Sequence, residues 1–271
     1  MHQVRQPAVA GAFYSGQGAV LFNDVKSFLA SAKPEASAEV EVPKAIIVPH
    51  AGFIYSGSTA AMAYAQLAAG RTTIKRVVLL GPVHHVPVRG LALPDVDAFA
   101  TPLGVIELDQ AAMALLGPLR QVVVSRAAHA PEHSLEVQLP FLQMALDDFK
   151  LVPLVVGDAT PTEVAQVLDV LWGGPETLIV ISSDLSHFLP YRAAQEADQE
   201  TLFNILNLNG ELTHQQACGC IPINGLLLAA RQHHLQAHLL GACNSGDTAG
   251  DRGRVVGYAS FALTSGATDA P

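Results

Sequence analysis

Short apolar runs alternate with amphipathic segments along most of the chain. The runs at residues 44–48, 76–80, 151–156 and 177–181 consist mainly of Val, Ile and Leu, as is typical of strands buried on both faces of a sheet. Apolar residues recur at helical spacing over residues 18–31, which predicts an amphipathic helix. The alternation predicts an α/β fold with a central, largely parallel or mixed sheet and helices on both faces.

Capping and turn residues set the expected boundaries of the other elements. Ser58 is expected to cap one helix, and Thr160-Pro161-Thr162-Glu163 is a capping box that begins another. Further helices are predicted over residues 131–144, 193–208 and 223–232, and a polar helical stretch is predicted around His233, His234 and His238. A loop is predicted over residues 33–41, an edge strand over 90–93 and a final strand over 255–263. Because no repeat or linker interrupts the pattern, we expect a single domain over residues 1–271, with its core at 5–263 and a flexible tail at 264–271.

Composition narrows the classes of partner and compartment. Half of the 271 residues are hydrophobic and 14% are charged, against roughly 25% charged in an average globular protein. The net charge of −9, without a basic run, disfavours nucleic acid and anionic membranes as main partners. The chain has three cysteines and no apolar run near the ~20 residues of a membrane span. We therefore expect a cytoplasmic protein.

Histidines follow three of the apolar runs. His50, His84 and His187 each come just after a predicted strand, and the carboxyl ends of strands are where α/β proteins bind ligands. Cys218, in a turn rich in Gly and Pro, is a fourth candidate for the same pocket. Imidazole and thiolate together suit a borderline or soft metal ion, so the sequence indicates a metal site.

The neighbours of these residues leave some assignments open. His84 and His85 are adjacent and should point to opposite sides of an extended segment, so one is expected to bind the ion; His84 is favoured, although the sequence barely separates them. Asp184 and His187 are spaced so that a carboxylate can orient an imidazole for acid/base chemistry. No G-x-S-x-G motif is present, which gives a serine hydrolase little support.

A second group of polar residues has a weaker signal. His133 and Glu136 lie three apart on a predicted helix and would share a face. They are either an acid/base pair or part of a solvated first turn, and the solvated turn is the favoured interpretation for Glu132. The candidate substrate-binding residues are Tyr55, His85, Asn244 and Asp247.

Ordered motifs along the chain resemble those of the Memo family, whose prokaryotic members are called AmmeMemoRadiSam system protein B. The resemblance runs from about Arg5 to Leu263. Its motifs are Arg5-x-Pro7-Ala8-Val9-Ala10-Gly11-x-Phe13-Tyr14, Pro49-His50-Ala51-Gly52-x-x-Tyr55-x-Gly57, Gly81-Pro82-x-His84-His85-Val86, Asp97-x-Phe99-x-Thr101-Pro102-Leu103-Gly104, Glu132-His133-Ser134-Leu135-Glu136-x-Gln138-Leu139-Pro140, Ser182-Ser183-Asp184-Leu185-Ser186-His187 and Asn244-Ser245-Gly246-Asp247.

This resemblance implies a fold like that of the class III extradiol dioxygenases. It implies metal binding by His50, His84 and Cys218, with Fe(II) or Cu(I) as the expected ion and Zn(II) as a further option. Asp184 and His187 match other pocket residues of the family, and His187 falls where the dioxygenases carry a catalytic histidine. Dioxygenases hold iron with two histidines and a carboxylate. The thiolate expected here is softer, which places ring-cleaving activity in doubt.

Three functions remain open at this point. The first is a metal-binding protein with redox or oxygenase-like chemistry that works with radical-SAM and Ammecr-type partners, as the family name implies. The second is a non-catalytic module that uses the same pocket for a peptide, protein or small-molecule ligand. The third, a metal-dependent hydrolase, is less favoured because a soft site suits hydrolysis less well.

Overall fold

The computed structural model describes residues 2–32 and 41–266. Its strands are β1 (Val4–Arg5), β2 (Ala45–Val48), β3 (Arg76–Pro82), β4 (Leu91–Leu93), β5 (Ala98–Thr101), β6 (Gly104–Glu107), β7 (Val122–Val124), β8 (Lys150–Val156), β9 (Thr177–Ser182), β10 (His187–Leu189), β11 (Leu235–Asn244) and β12 (Val255–Ser265). Its helices are α1 (Gly18–Ser31), α2 (Phe53–Ala65), α3 (Gln110–Ala114), α4 (Arg126–His129), α5 (Leu139–Ala145), α6 (Pro161–Leu171), α7 (Tyr191–Leu206) and α8 (Cys220–Gln232).

A nine-stranded mixed sheet organises the fold. The strand order is β10-β12-β2-β9-β3-β8-β4-β7. Strand β11 lies outside this order and also pairs with β12. Strands β2, β9, β3 and β8 run parallel, whereas β12 and β4 join this group in antiparallel fashion. A second, three-stranded sheet is formed by β1, β5 and β6. The mixed α/β architecture predicted from the sequence is confirmed.

The parallel strands bury apolar side chains along almost their whole length. Each fully buried Val, Leu or Ile side chain stabilises the fold by about 1.5–3 kcal/mol. Strand registers align the carboxyl ends, because Val48 lies beside Ser182 and Leu80 lies beside Ile181. The residues that follow β2, β3 and β9 therefore emerge together at one edge of the sheet.

Helices cover the sheet in two groups. Helix α2 packs against β2 and β12, and α1 and α5 pack against α2. Helix α8 packs against β3 and β9, and α6 packs against α8. The predicted capping box at Thr160 and Glu163 is present at the start of α6. Among the residues that the structure covers, none of the helices has the length and apolar character needed to cross a bilayer.

Two predicted helices are wrong. Residues 131–144 form a loop, the 3-10 turn Glu136–Gln138 and then α5, so His133 and Glu136 do not share a helix face. The polar stretch around His238 belongs to strand β11, which pairs with β12 over its whole length. Its partly exposed positions carry a mixture of polar and apolar residues that lacks clear two-residue alternation.

Other differences concern boundaries. Ser58 lies inside α2, which begins at Phe53 after Gly52. Strand β4 is not an edge strand, because it lies between β8 and β7. Strand β12 continues to Ser265, beyond the predicted end of the final strand. Most of the predicted loop at 33–41, and residues 267–271 of the predicted tail, lie outside the described residues.

Candidate metal centre

Three histidines meet at the carboxyl edge of the parallel strands. His50 follows β2, His84 follows β3, and His133 lies in the loop before the 3-10 turn at Glu136–Gln138. One ring nitrogen from each lies within 4.8 Å of the others. The ring centroids are 5.3 Å apart for His50 and His84, and 4.6 Å apart for His84 and His133. This arrangement can hold one metal ion.

The hydrogen bonds around His50 determine its tautomer. Nδ1 of His50 lies 2.9 Å from Oγ of Ser182. The only hydroxyl proton of Ser182 is donated to the carbonyl oxygen of Ser134 at 2.6 Å, while Gln138 Nε2 donates to Oγ at 2.8 Å. Because a carbonyl can only accept, Nδ1 of His50 must be the donor to Ser182. Nε2 of His50 therefore keeps its lone pair for a metal ion.

Glu132 orients His84 in the same way. Its carboxylate accepts hydrogen bonds from Nδ1 of His84 at 2.9 Å and from the His84 backbone N–H at 2.6 Å. Burial would raise the pKa of Glu132, but these bonds and the backbone N–H of Ser134 hold it well below its usual range. An ionised carboxylate accepts only, so Nδ1 of His84 is the donor in this hydrogen bond and Nε2 is the nitrogen left to bind a metal ion. The predicted solvated position of Glu132 is wrong, because the residue is 2% exposed.

His133 is fixed by the loop and by the N-terminal segment. Its ring lies 4.8 Å from the ring of Phe13, centroid to centroid. Its backbone N–H donates to Glu132 at 2.9 Å. Burial lowers the pKa of His133 to about 4, and burial together with the neighbouring rings lowers that of His50 well below 6.5. Both imidazoles are neutral at pH 7, as metal ligands must be.

Close backbone contacts bring two further parts of the chain to the centre. A Cβ on Gly81 would lie 2.8 Å from Oγ of Ser134, and a Cβ on Gly219 would lie 2.7 Å from Cβ of Ser183. Only glycine permits these approaches, which bring the loop of His133 onto β3 and the turn of Cys218 onto the end of β9.

Cys218 lies beside the three-histidine cluster. Its Sγ is 3.3 Å from Nε2 of His50 and 3.7 Å from the carbonyl oxygen of Asp184. Burial raises the pKa of the thiol to about 12. The cluster of ring nitrogens within 4.8 Å of one another comprises His50, His84 and His133, so the structure adds a third imidazole that the sequence did not assign to the metal.

Asp184 and His187 both reach the centre, but each has another partner. Oδ1 of Asp184 accepts the backbone N–H of His50 at 2.7 Å, and burial raises the pKa of Asp184 to about 7. Nδ1 of His187 donates to the carbonyl of Leu185 at 2.8 Å, which leaves Nε2 unprotonated in the neutral ring. Burial lowers the pKa of His187. The expected hydrogen bond from the His187 ring to the carboxylate of Asp184 is replaced by these contacts.

Glu136 is directed into a buried ion pair. It is fully buried, and its oxygens accept from Arg5 Nη1 at 2.8 Å and from the hydroxyl of Tyr14 at 2.6 Å. The backbone N–H groups of Ala8 and Val9 also donate to it, at 2.7 and 2.9 Å. Its hydrogen-bonding capacity is used for holding the N-terminal segment against the loop of His133.

Two clefts open at the centre. The first, called here the histidine cleft, has a volume of about 520 Å³. Besides the three histidines, its lining includes Phe13, Tyr55, Asp184, Ser245, Arg254 and Tyr258. The second, called here the outer cleft, has a volume of about 1090 Å³ and includes Phe188 and Cys218. His84 and His187 line both clefts, so the centre lies where they meet.

The predicted substrate-binding residues differ in whether they line a cleft. Tyr55 lines the histidine cleft. His85 is exposed, with its ring 6.0 Å from that of His133. The side chains of Asn244 and Asp247 accept hydrogen bonds from backbone N–H groups within the turn around Ser245. Asp247 also accepts a hydrogen bond from the hydroxyl of Tyr191. They shape the turn that brings Ser245 to the histidine cleft.

Three convergent imidazoles at the edge of a mixed sheet define an α/β protein with a candidate metal centre. A family model described as Memo-like protein matches residues 5–262. A MEMO1 family protein from Aquifex aeolicus is 37% identical over 276 residues, covering 94% of this chain and 97% of the relative. Another from Sulfurisphaera tokodaii is 35% identical over 280 residues, covering 95% and 98%. The chain belongs to the Memo family, which confirms the resemblance seen in its motifs.

A solved structure with a related fold is the crystal structure of uncharacterized protein JW3007 from Escherichia coli K12, with a TM-score of 0.53 and 15% sequence identity. The match covers 83% of this chain and all of the other, at 100%. At this identity the similarity concerns the fold alone.

Proposed function

We propose that this protein binds one transition metal ion through His50, His84 and His133, and that the centre performs redox or oxygenase-like chemistry on a small molecule. The observation that carries the proposal is the convergence of three ring nitrogens within 4.8 Å. Two of the rings have their protons directed to Ser182 and Glu132. Such outer partners fix ring orientation and raise ligand basicity in metal sites.

The donor set suits the ions expected from the sequence. Imidazole binds Fe, Cu and Zn, and a thiolate shifts preference toward Cu(I) and Zn. Cys218, 3.3 Å from His50, is close enough to serve as a fourth, soft donor once deprotonated. Fe(II) or Cu(I) is the proposed ion, with Zn(II) as a competitor. A bound ion with an open position would polarise a substrate or activate a small oxidant there.

The chain itself would supply acid/base groups. Nε2 of His187 is unprotonated in the neutral ring, and His187 lines both clefts, so this residue can accept a proton from a bound molecule. Asp184, with its pKa raised to about 7, can hold a proton near neutral pH while its other oxygen keeps the His50 backbone in place.

A metal-dependent hydrolase is the second candidate. A set of three histidines with an open position also suits zinc-bound water. The third imidazole therefore weakens the argument that the site is too soft for hydrolysis. A non-catalytic role for the clefts, the radical-SAM and Ammecr-type partners, and a cytoplasmic location remain predictions from the sequence.

Metal content tests the proposal. Anaerobically purified protein, loaded with Fe(II), Cu(I) or Zn(II) and desalted, should hold about one ion per chain by elemental analysis. His133→Ala should reduce retention strongly for every ion, whereas Cys218→Ala should reduce it most for Cu(I). The matched control is His238→Ala, since this exposed residue lies on β11. Equal retention by the parent and His133→Ala would exclude the proposed ligand set. Oxygen uptake by the loaded protein then separates redox chemistry from hydrolysis.

A further inference from the structure

A β-bulge exposes an aromatic ring beside the candidate metal centre. Strand β10 pairs with β12 through His187 with Val256 and Leu189 with Val255, and the register shifts between these pairs. Phe188 at the bulge has φ 59° and is 59% exposed. A bulky residue in the left-handed region is strained, and bulges near functional sites commonly redirect side chains. The backbone therefore holds Phe188 outward next to His187.

Arg254 lies over the Phe188 ring. Its guanidinium carbon is 4.9 Å from the ring centroid, within the range of cation–π contact. It is the only lysine or arginine among the described residues that line the histidine cleft. Over residues 2–32 and 41–266, Arg254 has no carboxylate oxygen within 4.0 Å of its guanidinium nitrogens. The arginines that do have such a partner are Arg5, Arg71, Arg76, Arg89 and Arg126.

The charges around this guanidinium leave it available to a ligand. Asp251 also lines the histidine cleft, but its Oδ1 accepts the backbone N–H of Gly253 at 2.7 Å. Tyr55 and Tyr258 supply aromatic surface in the same cleft. A guanidinium offers a planar set of N–H donors that matches a carboxylate in a two-bond geometry.

We propose that Arg254, held over Phe188, binds the carboxylate of a small substrate whose apolar body lies in the histidine cleft. This inference rests on the proposed function, because the substrate of the metal centre is the molecule whose carboxylate Arg254 would bind. A carboxylate is favoured over a phosphate because phosphate-recognition sites generally use clusters of arginines, and the cleft has Arg254 alone among its described lining residues.

Fluorine NMR can test this subsite with defined probes. We would titrate 4-fluorobenzoate and its neutral analogue 4-fluorobenzamide into the metal-free and the zinc-loaded protein. The parent should bind the benzoate at least about tenfold more tightly than the amide, the usual scale for a charge-assisted hydrogen bond. Arg254→Gln should remove this preference in both forms. Phe188→Leu should weaken it less, because the guanidinium keeps its charge but loses its support.

Arg252→Gln is the matched control, since Arg252 lies over Tyr191 at 4.4 Å and does not line the histidine cleft. This variant should keep the preference of the parent. Equal binding of benzoate and benzamide, an unchanged preference in Arg254→Gln, or tighter binding of 4-fluorophenyl phosphate than of 4-fluorobenzoate would each overturn the proposal. Metal content is measured on the same samples. An Arg254-dependent preference in protein that still holds no zinc after loading would support the carboxylate subsite and reject the proposed function.

Discussion

Ser182 determines which nitrogen of His50 carries the proton. The Ser182 hydroxyl donates to the Ser134 carbonyl at 2.6 Å and must accept from Nδ1 of His50 at 2.9 Å. Ser182 is the last residue of β9 and lies beside Val48 of β2. Val48 precedes His50 by two residues in the sequence. The pairing of two parallel strands therefore sets the protonation of a candidate ligand.

The first prediction concerns this hydroxyl. Ser182→Ala should weaken metal binding by about 10–100-fold, because loss of an outer partner of a histidine ligand typically has that effect. It should also lower the free energy of unfolding by about 1–3 kcal/mol, since a buried N–H loses its acceptor. Competition with a chelator and urea denaturation give the two values. Ser260→Ala is the control, because Ser260 is a fully buried serine that bonds to Thr59 of α2. It should lower stability and leave metal affinity unchanged; a similar loss of affinity would show that Ser182 has no specific role.

The second prediction concerns the buried pair of Arg5 and Glu136. Removing one partner of a buried ion pair typically costs about 3–5 kcal/mol. Arg5→Met should therefore lower the free energy of unfolding by this amount and loosen the loop of His133, which Arg5 also contacts through the Glu132 carbonyl at 2.7 Å. The double variant Arg5→Met, Glu136→Gln should recover part of the loss.

Glu136→Gln also distinguishes a structural role from a catalytic one. We expect lower stability, with unchanged turnover per metal-loaded folded chain, because the Glu136 carboxylate is bonded to Arg5 and Tyr14. A large loss of turnover at full metal content would restore the catalytic role first considered for this residue.

The part of the centre that lies on strands could be predicted from the sequence. His50 and His84 follow apolar runs whose strand character is evident from residue type, and parallel packing brings such ends together. The role of His133 could not be predicted in this way. It lies in a loop whose polar residues imitate the first turn of a helix, and its support comes from Phe13 and Arg5, far away in the sequence.

The same limit explains the wrong element at β11. This strand is specified by pairing with β12, from Leu235 beside Ser265 to Asn244 beside Gly257. Its own residues include exposed His238 and partly exposed Leu240, so local periodicity does not distinguish a strand from a helix. The ion pair between Arg5 and Glu136 spans 131 residues of sequence, and no local pattern indicates it.

The third prediction is a pH dependence that arises away from the metal centre. Burial lowers the pKa of His129 to about 4 from its ordinary value of 6.5, while Nε2 donates to the Ala92 carbonyl at 2.7 Å. As the pH falls from 6.5 toward 4, the unfolded chain binds a proton that the folded chain does not. His129 therefore reduces stability progressively over this window, by at most about 3 kcal/mol.

His129→Gln keeps a donor for Ala92 and removes the titrating group. Relative to the parent, this variant should gain stability as the pH is lowered from 7 to 4.5, measured by urea denaturation at each pH. His238→Gln, at an exposed position, controls for the loss of one histidine. Parallel curves for His129→Gln and the parent would contradict the assigned burial of a neutral ring.

The last prediction concerns His187, whose Nδ1–H is held by Leu185 and whose Nε2 is the free nitrogen of the neutral ring. If it moves a proton for a bound molecule, His187→Gln should keep metal affinity and reduce turnover by about 10²–10⁴-fold, the usual contribution of general acid/base catalysis. The limb of the pH–rate profile that reports this base should disappear as well, which a purely structural role would not cause. His214→Gln is the control, because His214 lines the outer cleft. Loss of metal in His187→Gln would make His187 a ligand, and unchanged turnover would leave proton transfer to Asp184 or to solvent.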